Sequence, residues 1–122
     1  MRIIRFIHTF SFMKVKIFKW ANVIEHCKNN KIMSNAFEDF YAQLKYCDWN
    51  IPSDITKSYR TADIIVCEGK PFNRVIFNIG GNKYRLICGY KFNKSNVLLY
   101  IRFVGTHKEY DKISEVCDVN MF

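Results

Sequence analysis

Five side chains in the C-terminal half, Lys83, Arg85, Arg102, His107 and Tyr110, combine cationic, titratable and aromatic chemistry within a short length of chain. Clustered lysine and arginine with one histidine and one tyrosine suit phosphodiester cleavage in RNA. There the 2′-OH attacks the adjacent phosphorus, and the protein supplies positive charge for the pentacovalent state. In that scheme Arg85, with Arg102 nearby, stabilises the extra negative charge through forked donors, and Lys83 holds a flanking phosphate. Imidazoles exchange protons in the physiological range, so His107 qualifies as general acid or base, while Tyr110 positions the substrate or stacks on a base. Asn78, Asn82 and Lys108 complete the expected RNA contacts. Each residue also has a purely structural role open to it. Arg102 can pair with Glu109 or Asp111, His107 can fix a loop, Tyr110 can pack, and the asparagines can serve the glycine turn between them.

Other chemistries lack their residues. No nucleophile stands beside its base, and no pair of carboxylates is placed for glycoside work. Gly80-Gly81 joins two strands and lacks the phosphate-loop pattern. His26, Cys27, His107 and Cys117 have no spacing that favours zinc, and no cofactor is implied.

The elements that must position these residues begin with RVIFNIGGNKYRLICGY, residues 74–90. Val75, Phe77 and Ile79 alternate with Arg74, Ile76 and Asn78 before a Gly-Gly pair, which predicts a hairpin. With Gly80-Gly81 as a two-residue loop, Phe77 faces Tyr84 and Val75 faces Leu86, leaving Asn78, Lys83 and Arg85 on the opposite side. A four-residue loop at 93–96 pairs Cys88 with Ile101, Ile87 with Arg102 and Leu86 with Phe103. Leu86, Cys88, Tyr90, Leu99, Ile101 and Phe103 then extend the apolar face, and Tyr100 and Arg102 join the polar one.

Upstream, MKVKIF reads as a short edge strand whose lysines discourage further pairing. Trp20, Val23, Ile24 and Cys27 recur at helical spacing, and so do Phe37, Phe40, Tyr41 and Leu44, with Ser34 as the expected cap of the second helix. A Pro turn, a helical turn that Ser53 can cap and a strand over residues 64–67 follow. The order predicts an α+β fold, a short N-terminal strand and two helices packed on one face of a largely antiparallel four- to five-stranded sheet, with the polar face left open.

The chain has 122 residues, 49% of them hydrophobic and 16% aromatic, which predicts one packed domain over residues 13–122. Residues 1–12 are expected to be an extension or a mis-assigned start, with Arg5 and His8 breaking any signal-peptide core. No run is long enough for a membrane span. A net charge of +8 attracts polyanions. Five cysteines spaced twenty or more residues apart argue against a disulfide framework and for buried thiols in a reducing cytoplasm.

The strings FNIGGNKYRLI, YIRFVGTHKEYDKI and WNIPSDITKSYRTADII together resemble the HigB toxins of type II toxin-antitoxin systems, within the RelE/ParE-like superfamily. The resemblance runs from about Met13 to Ile113. It implies an mRNA interferase that cleaves mRNA on the translating ribosome and inhibits translation, neutralised by a HigA-like helix-turn-helix antitoxin. It also implies the fold reached above. The family motif points at Asn78, Asn82, Lys83, Tyr84 and Arg85, then at Arg102, Thr106, His107, Glu109, Tyr110 and Asp111. Tyr84 falls on the expected core face. A non-catalytic relative that poisons a protein target or only binds nucleic acid remains the alternative.

Overall fold

The computed structural model describes residues 13–122, so the reading of residues 1–12 lies outside it. The chain runs β1 (Val15–Phe18), α1 (Trp20–Cys27), α2 (Lys31–Leu44), α3 (Ser53–Ser58), β2 (Asp63–Ile65), β3 (Arg74–Ile79), β4 (Tyr84–Phe92), β5 (Val97–Thr106) and α4 (His107–Tyr110). The expected α+β fold is observed. The strands form one sheet in the order β1-β5-β4-β3-β2, antiparallel throughout except where β1 runs parallel to β5 at the edge.

The two long helices form because their apolar residues recur on one stripe. Met33, Phe37, Phe40 and Leu44 of α2 are buried, as are Val23 and Cys27 of α1, whereas Ile24 is exposed. Phe40 and Tyr59 meet Phe77 of β3 at ring centroid distances of 4.9 and 5.2 Å. Burial of such a ring contributes about 1.5–3 kcal/mol. The cap of α2 is Asn30 rather than Ser34. Asn30 has extended backbone, and its carboxamide accepts the Met33 N–H at 3.1 Å, so the helix starts one turn earlier and buries Met33. Likewise Ser53 does not cap α3 with its side chain; Asp54 reaches back instead and accepts the N–H groups of Asn50 and Ile51 at 2.9 and 3.2 Å.

The β3–β4 hairpin differs from the expected register by two residues. Asn78 pairs with Arg85, Phe77 with Leu86 and Ile79 with Tyr84, so the loop is the four residues 80–83. Gly80 and Gly81 both have positive φ, 63° and 69°, and a Cβ on Gly80 would stand 3.1 Å from Ala36 of α2. Gly80 therefore leaves little space for a side chain between the turn and α2. A shift of two leaves every side chain on its expected face.

The β4–β5 pair departs further. Cys88 pairs with Ile101 as expected, but Ile87 pairs with Phe103, Leu86 with Val104 and Arg85 with Gly105. Arg102 is the extra residue of a β-bulge. The bulge moves Phe103 off the helical face and puts Val104 in its place in the core.

The opposite face is therefore not open along its whole length. Ile76, Ile87 and Phe103 make a second, smaller core, covered by Tyr110, Ile113, Val116 and Val119 of the C-terminal segment. That segment is tied down at several points. Arg74 Nη1 donates to the carbonyls of Val116 and Val119, both at 2.6 Å, and Met121 N–H donates to the Arg102 carbonyl at 2.7 Å. Lys70 pairs with Asp118 at 2.7 Å. Cys67 and Cys117, 50 residues apart, form a disulfide, which corrects the expectation of buried free thiols at these two positions. Spacing alone could not show it, because the tail returns across the sheet to reach the strand edge. Cys27, Cys47 and Cys88 are free.

Candidate active site

The sheet face away from the helices is built of cross-strand rows. The row nearest the β3–β4 turn is Asn78, Arg85 and Gly105, one residue from each of three strands. Arg85 has an apolar sheet beneath it and keeps only 6% of its surface in contact with solvent. Its guanidinium holds the turn. Nη1 donates to the carbonyls of Asn82 and Tyr84 at 3.3 and 3.1 Å, and Nη2 donates to the Asn82 side-chain oxygen at 2.7 Å. The Tyr110 ring lies beneath it, with Cζ 5.5 Å from the ring centroid.

His107 and Tyr110 reach this row because β5 ends in a helical turn. Thr106 caps α4, accepting the Glu109 N–H at 3.1 Å while Glu109 Oε1 accepts the Thr106 N–H at 2.8 Å. The His107 N–H donates to the Lys83 carbonyl at 2.8 Å, fastening the turn to the loop that carries Lys83. Gly105, facing Arg85, has no room for a side chain, since a Cβ there would lie 2.6 Å from the Phe103 ring and 2.9 Å from Glu109 Oε1. The His107 ring is half-buried. Its Nδ1 sits 3.3 Å from Asp111 Oδ1 but off the line of a hydrogen bond, so the pair is an electrostatic neighbour only and Nδ1 has no hydrogen-bond partner.

Lys83, Asn82 and Lys108 are exposed around this group, and Asn78 is half-buried beside Arg85. Seven of the eight expected site residues thus come together. Arg102 does not. Its backbone lies at the bulge beside Ile87 and Cys88, and its side chain points away from Arg85 to Gly89, which is four residues, about 13 Å at the rise of a strand, from Arg85 along β4. The small core of Ile76, Ile87 and Phe103 lies in between. Neither Glu109 nor Asp111 pairs with it; its Nη1 donates weakly to the Ile101 carbonyl at 3.4 Å, and its guanidinium faces the Tyr100 ring. The bulge displaces it, and alternation read from sequence cannot register a bulge.

Residues 33–113, about two thirds of the chain, match the HigB toxin family, the RelE-like toxic component of a toxin-antitoxin system. The chain belongs to this family. It is a toxin of a toxin-antitoxin system, and an antitoxin is its partner. No curated protein matches the sequence. The match ends at Ile113, just beyond the α4 turn, so it covers the whole Arg85–His107–Tyr110 group and omits the disulfide-bonded tail. Within the HigB match, Tyr84 packs in the core against Phe37 at 6.2 Å, as its position in the alternation requires. Thr106 and Glu109 are the capping box. The pattern of Thr followed three residues later by Glu could have shown this from sequence alone.

Arg74 fastens the C-terminal segment through its bonds to the Val116 and Val119 carbonyls. It is buried in the row of Gly89 and Tyr100, and burial followed by the nearby Arg102 charge lowers its pKa from the ordinary guanidinium value. Asp118 is held below the usual carboxylate range, first by the hydrogen bond from Lys70 and then by that lysine's charge. Among the described residues no group of three His, Cys, Asp or Glu side chains could hold a metal ion, and no helix is long and apolar enough to cross a membrane.

Proposed function

We propose that the chain is an mRNA interferase, an endoribonuclease that cuts mRNA presented by the translating ribosome and is neutralised by a HigA-like helix-turn-helix antitoxin. The observation that carries this reading is Arg85, a nearly buried guanidinium with Tyr110 beneath it and the His107 turn fastened to its own loop. A positive charge fixed in a half-dry setting requires little reorganisation when a phosphate gains charge, which is where such groups accelerate reactions most.

In this mechanism the RNA 2′-OH attacks the adjacent phosphorus and loses its proton, and the 5′-oxygen of the next nucleotide leaves and gains one. His107 serves one of these proton transfers. Arg85 binds the non-bridging oxygens of the pentacovalent state. Its Nη2 bond to Asn82 is the exchangeable one, because Asn82 sits on an exposed loop and its carboxamide can give way to a phosphate. Lys83 and Lys108 hold flanking phosphates, Tyr110 fixes the guanidinium plane, and Asn78 borders the substrate from β3. Arg102 takes no part in the bond-breaking step.

The test is induction of wild type, Arg85→Ala and His107→Ala in a bacterial host with mapping of mRNA 5′ ends. New ends within translated messages for wild type, reduced about 100-fold or more in both variants while they remain folded, support the reading. Growth arrest with intact mRNA would overturn it and leave a toxin that poisons a protein target.

A further inference from the structure

The far end of the same sheet face is a second cationic surface, separated from Arg85 by the covered core of Ile76, Ile87 and Phe103. Its central row is Phe18 of β1, Tyr100 of β5, Gly89 of β4 and Arg74 of β3, four directly paired residues. Phe18 stacks on Tyr100 at 5.3 Å with planes 14° apart, and Phe72, from the loop before β3, stacks on Tyr100 at 5.2 Å. The result is a row of three rings across the sheet. Gly89 puts no side chain beside it, and a cavity of about 140 Å³ opens there between Phe72, Arg74 and Arg102. The next row outward is Lys16, Leu98 and Lys91.

Three features set this surface apart from ordinary packing. Phe18 is 43% exposed although its ring is held in place by a stack, so a flat apolar surface is offered to solvent in a fixed orientation. Lys16, Lys91 and Arg102 surround the rings, and none has a carboxylate partner among the described residues. Arg102 also lies against the Tyr100 ring, with Cζ 5.7 Å from its centroid. Aromatic faces in a cationic frame fit unpaired nucleotides, whose bases stack while their phosphates are neutralised. A protein partner with an acidic, apolar segment would use the charges but would gain nothing particular from parallel rings.

We propose that this platform binds single-stranded RNA flanking the scissile nucleotide, with an unpaired base stacked on Phe18 and phosphates held by Arg102, Lys16 and Lys91. The proposal rests on the ribonuclease reading for its substrate, and it gives Arg102 a binding role in place of a chemical one. The RNA strand passes beside the C-terminal segment from one cationic end of the face to the other.

The experiment measures binding of a short single-stranded 2′-O-methyl RNA by fluorescence anisotropy. Such RNA has no free 2′-OH and cannot be cut, so binding is read apart from chemistry. Phe18→Ala should weaken binding roughly 5- to 100-fold, and Phe18→Tyr should restore it. Arg102→Gln should lower the slope of log affinity against log salt by about one. Wild-type affinity in both Phe18→Ala and Arg102→Gln, or no RNA binding by wild type, overturns the platform. Unchanged RNA binding with weakened capture of the antitoxin also overturns it and makes the surface a protein interface. Binding through Phe18 by a wild type that makes no new mRNA 5′ ends when induced in a bacterial host keeps the platform and removes the nuclease reading.

Discussion

At the scale of single residues, the tightest constraint on the candidate site falls on a residue with no chemistry of its own. Gly105 faces Arg85 across β4 and β5, and a methyl group there would meet a Phe103 ring carbon at 2.6 Å and Glu109 Oε1 at 2.9 Å. Neither neighbour is free to withdraw. Phe103 belongs to the small core under the C-terminal segment, and Glu109 is engaged in the capping box. Gly105→Ala is therefore expected to cost about 1–3 kcal/mol in urea unfolding and to reduce RNA cutting by displacing the α4 turn. A variant with wild-type stability would mean that Phe103 can repack, and the close fit would lose its role. Arg85 itself was legible in the sequence, since it alternates out of the apolar pattern beside a glycine turn. Its near-complete burial was not, because the Tyr110 ring against which it packs arrives from a different element.

At the scale of elements, the α4 turn decides where His107 stands. The turn has only four residues and cannot persist on propensity, so the reciprocal Thr106 and Glu109 bonds and the His107 N–H bond to Lys83 hold it. Thr106→Ala should lower stability by about 0.5–2 kcal/mol and reduce cutting by more than that loss of fold explains, whereas Thr106→Ser should retain both. Equal activity in the alanine and serine variants, with both folded, would show that the cap does not position His107. The expected strands and long helices followed from periods of two and 3.6, which local sequence displays directly. The errors arose where elements meet. The hairpin loop takes four residues, with Gly80 close against Ala36 of α2, and the bulge at Arg102 moves Phe103 to the other face. Both are tertiary constraints that alternation does not record.

For the whole molecule, the C-terminal segment divides one sheet face into two cationic ends. The sequence pattern gave no sign of this division, because Ile113, Val116 and Val119 read as scattered apolar residues until they meet Ile76, Ile87 and Phe103. The fastening combines three kinds of bond: the Cys67–Cys117 disulfide, the Arg74 hydrogen bonds to backbone carbonyls, and the Lys70–Asp118 ion pair. They respond differently to conditions. Asp118 has a lowered pKa in the folded chain, so its contribution is present above the ordinary carboxylate pKa and is lost as pH falls through the folded value. The disulfide is indifferent to acid but not to reductant. Closing a loop of 50 residues restricts the unfolded chain, and Cys117→Ser, or reduction of the wild type, is expected to lower stability by about 2–4 kcal/mol. Urea midpoints of both proteins with and without reductant measure this. The reductant should shift the wild type toward the variant and leave the variant unchanged. Coincident midpoints for all four samples would show that Arg74 and the apolar contacts hold the segment without the bridge. In either case Arg85 and the N-terminal cap of α4 should keep their geometry, because none of the hydrogen bonds that fix Arg85 or that cap involves a residue beyond Glu109.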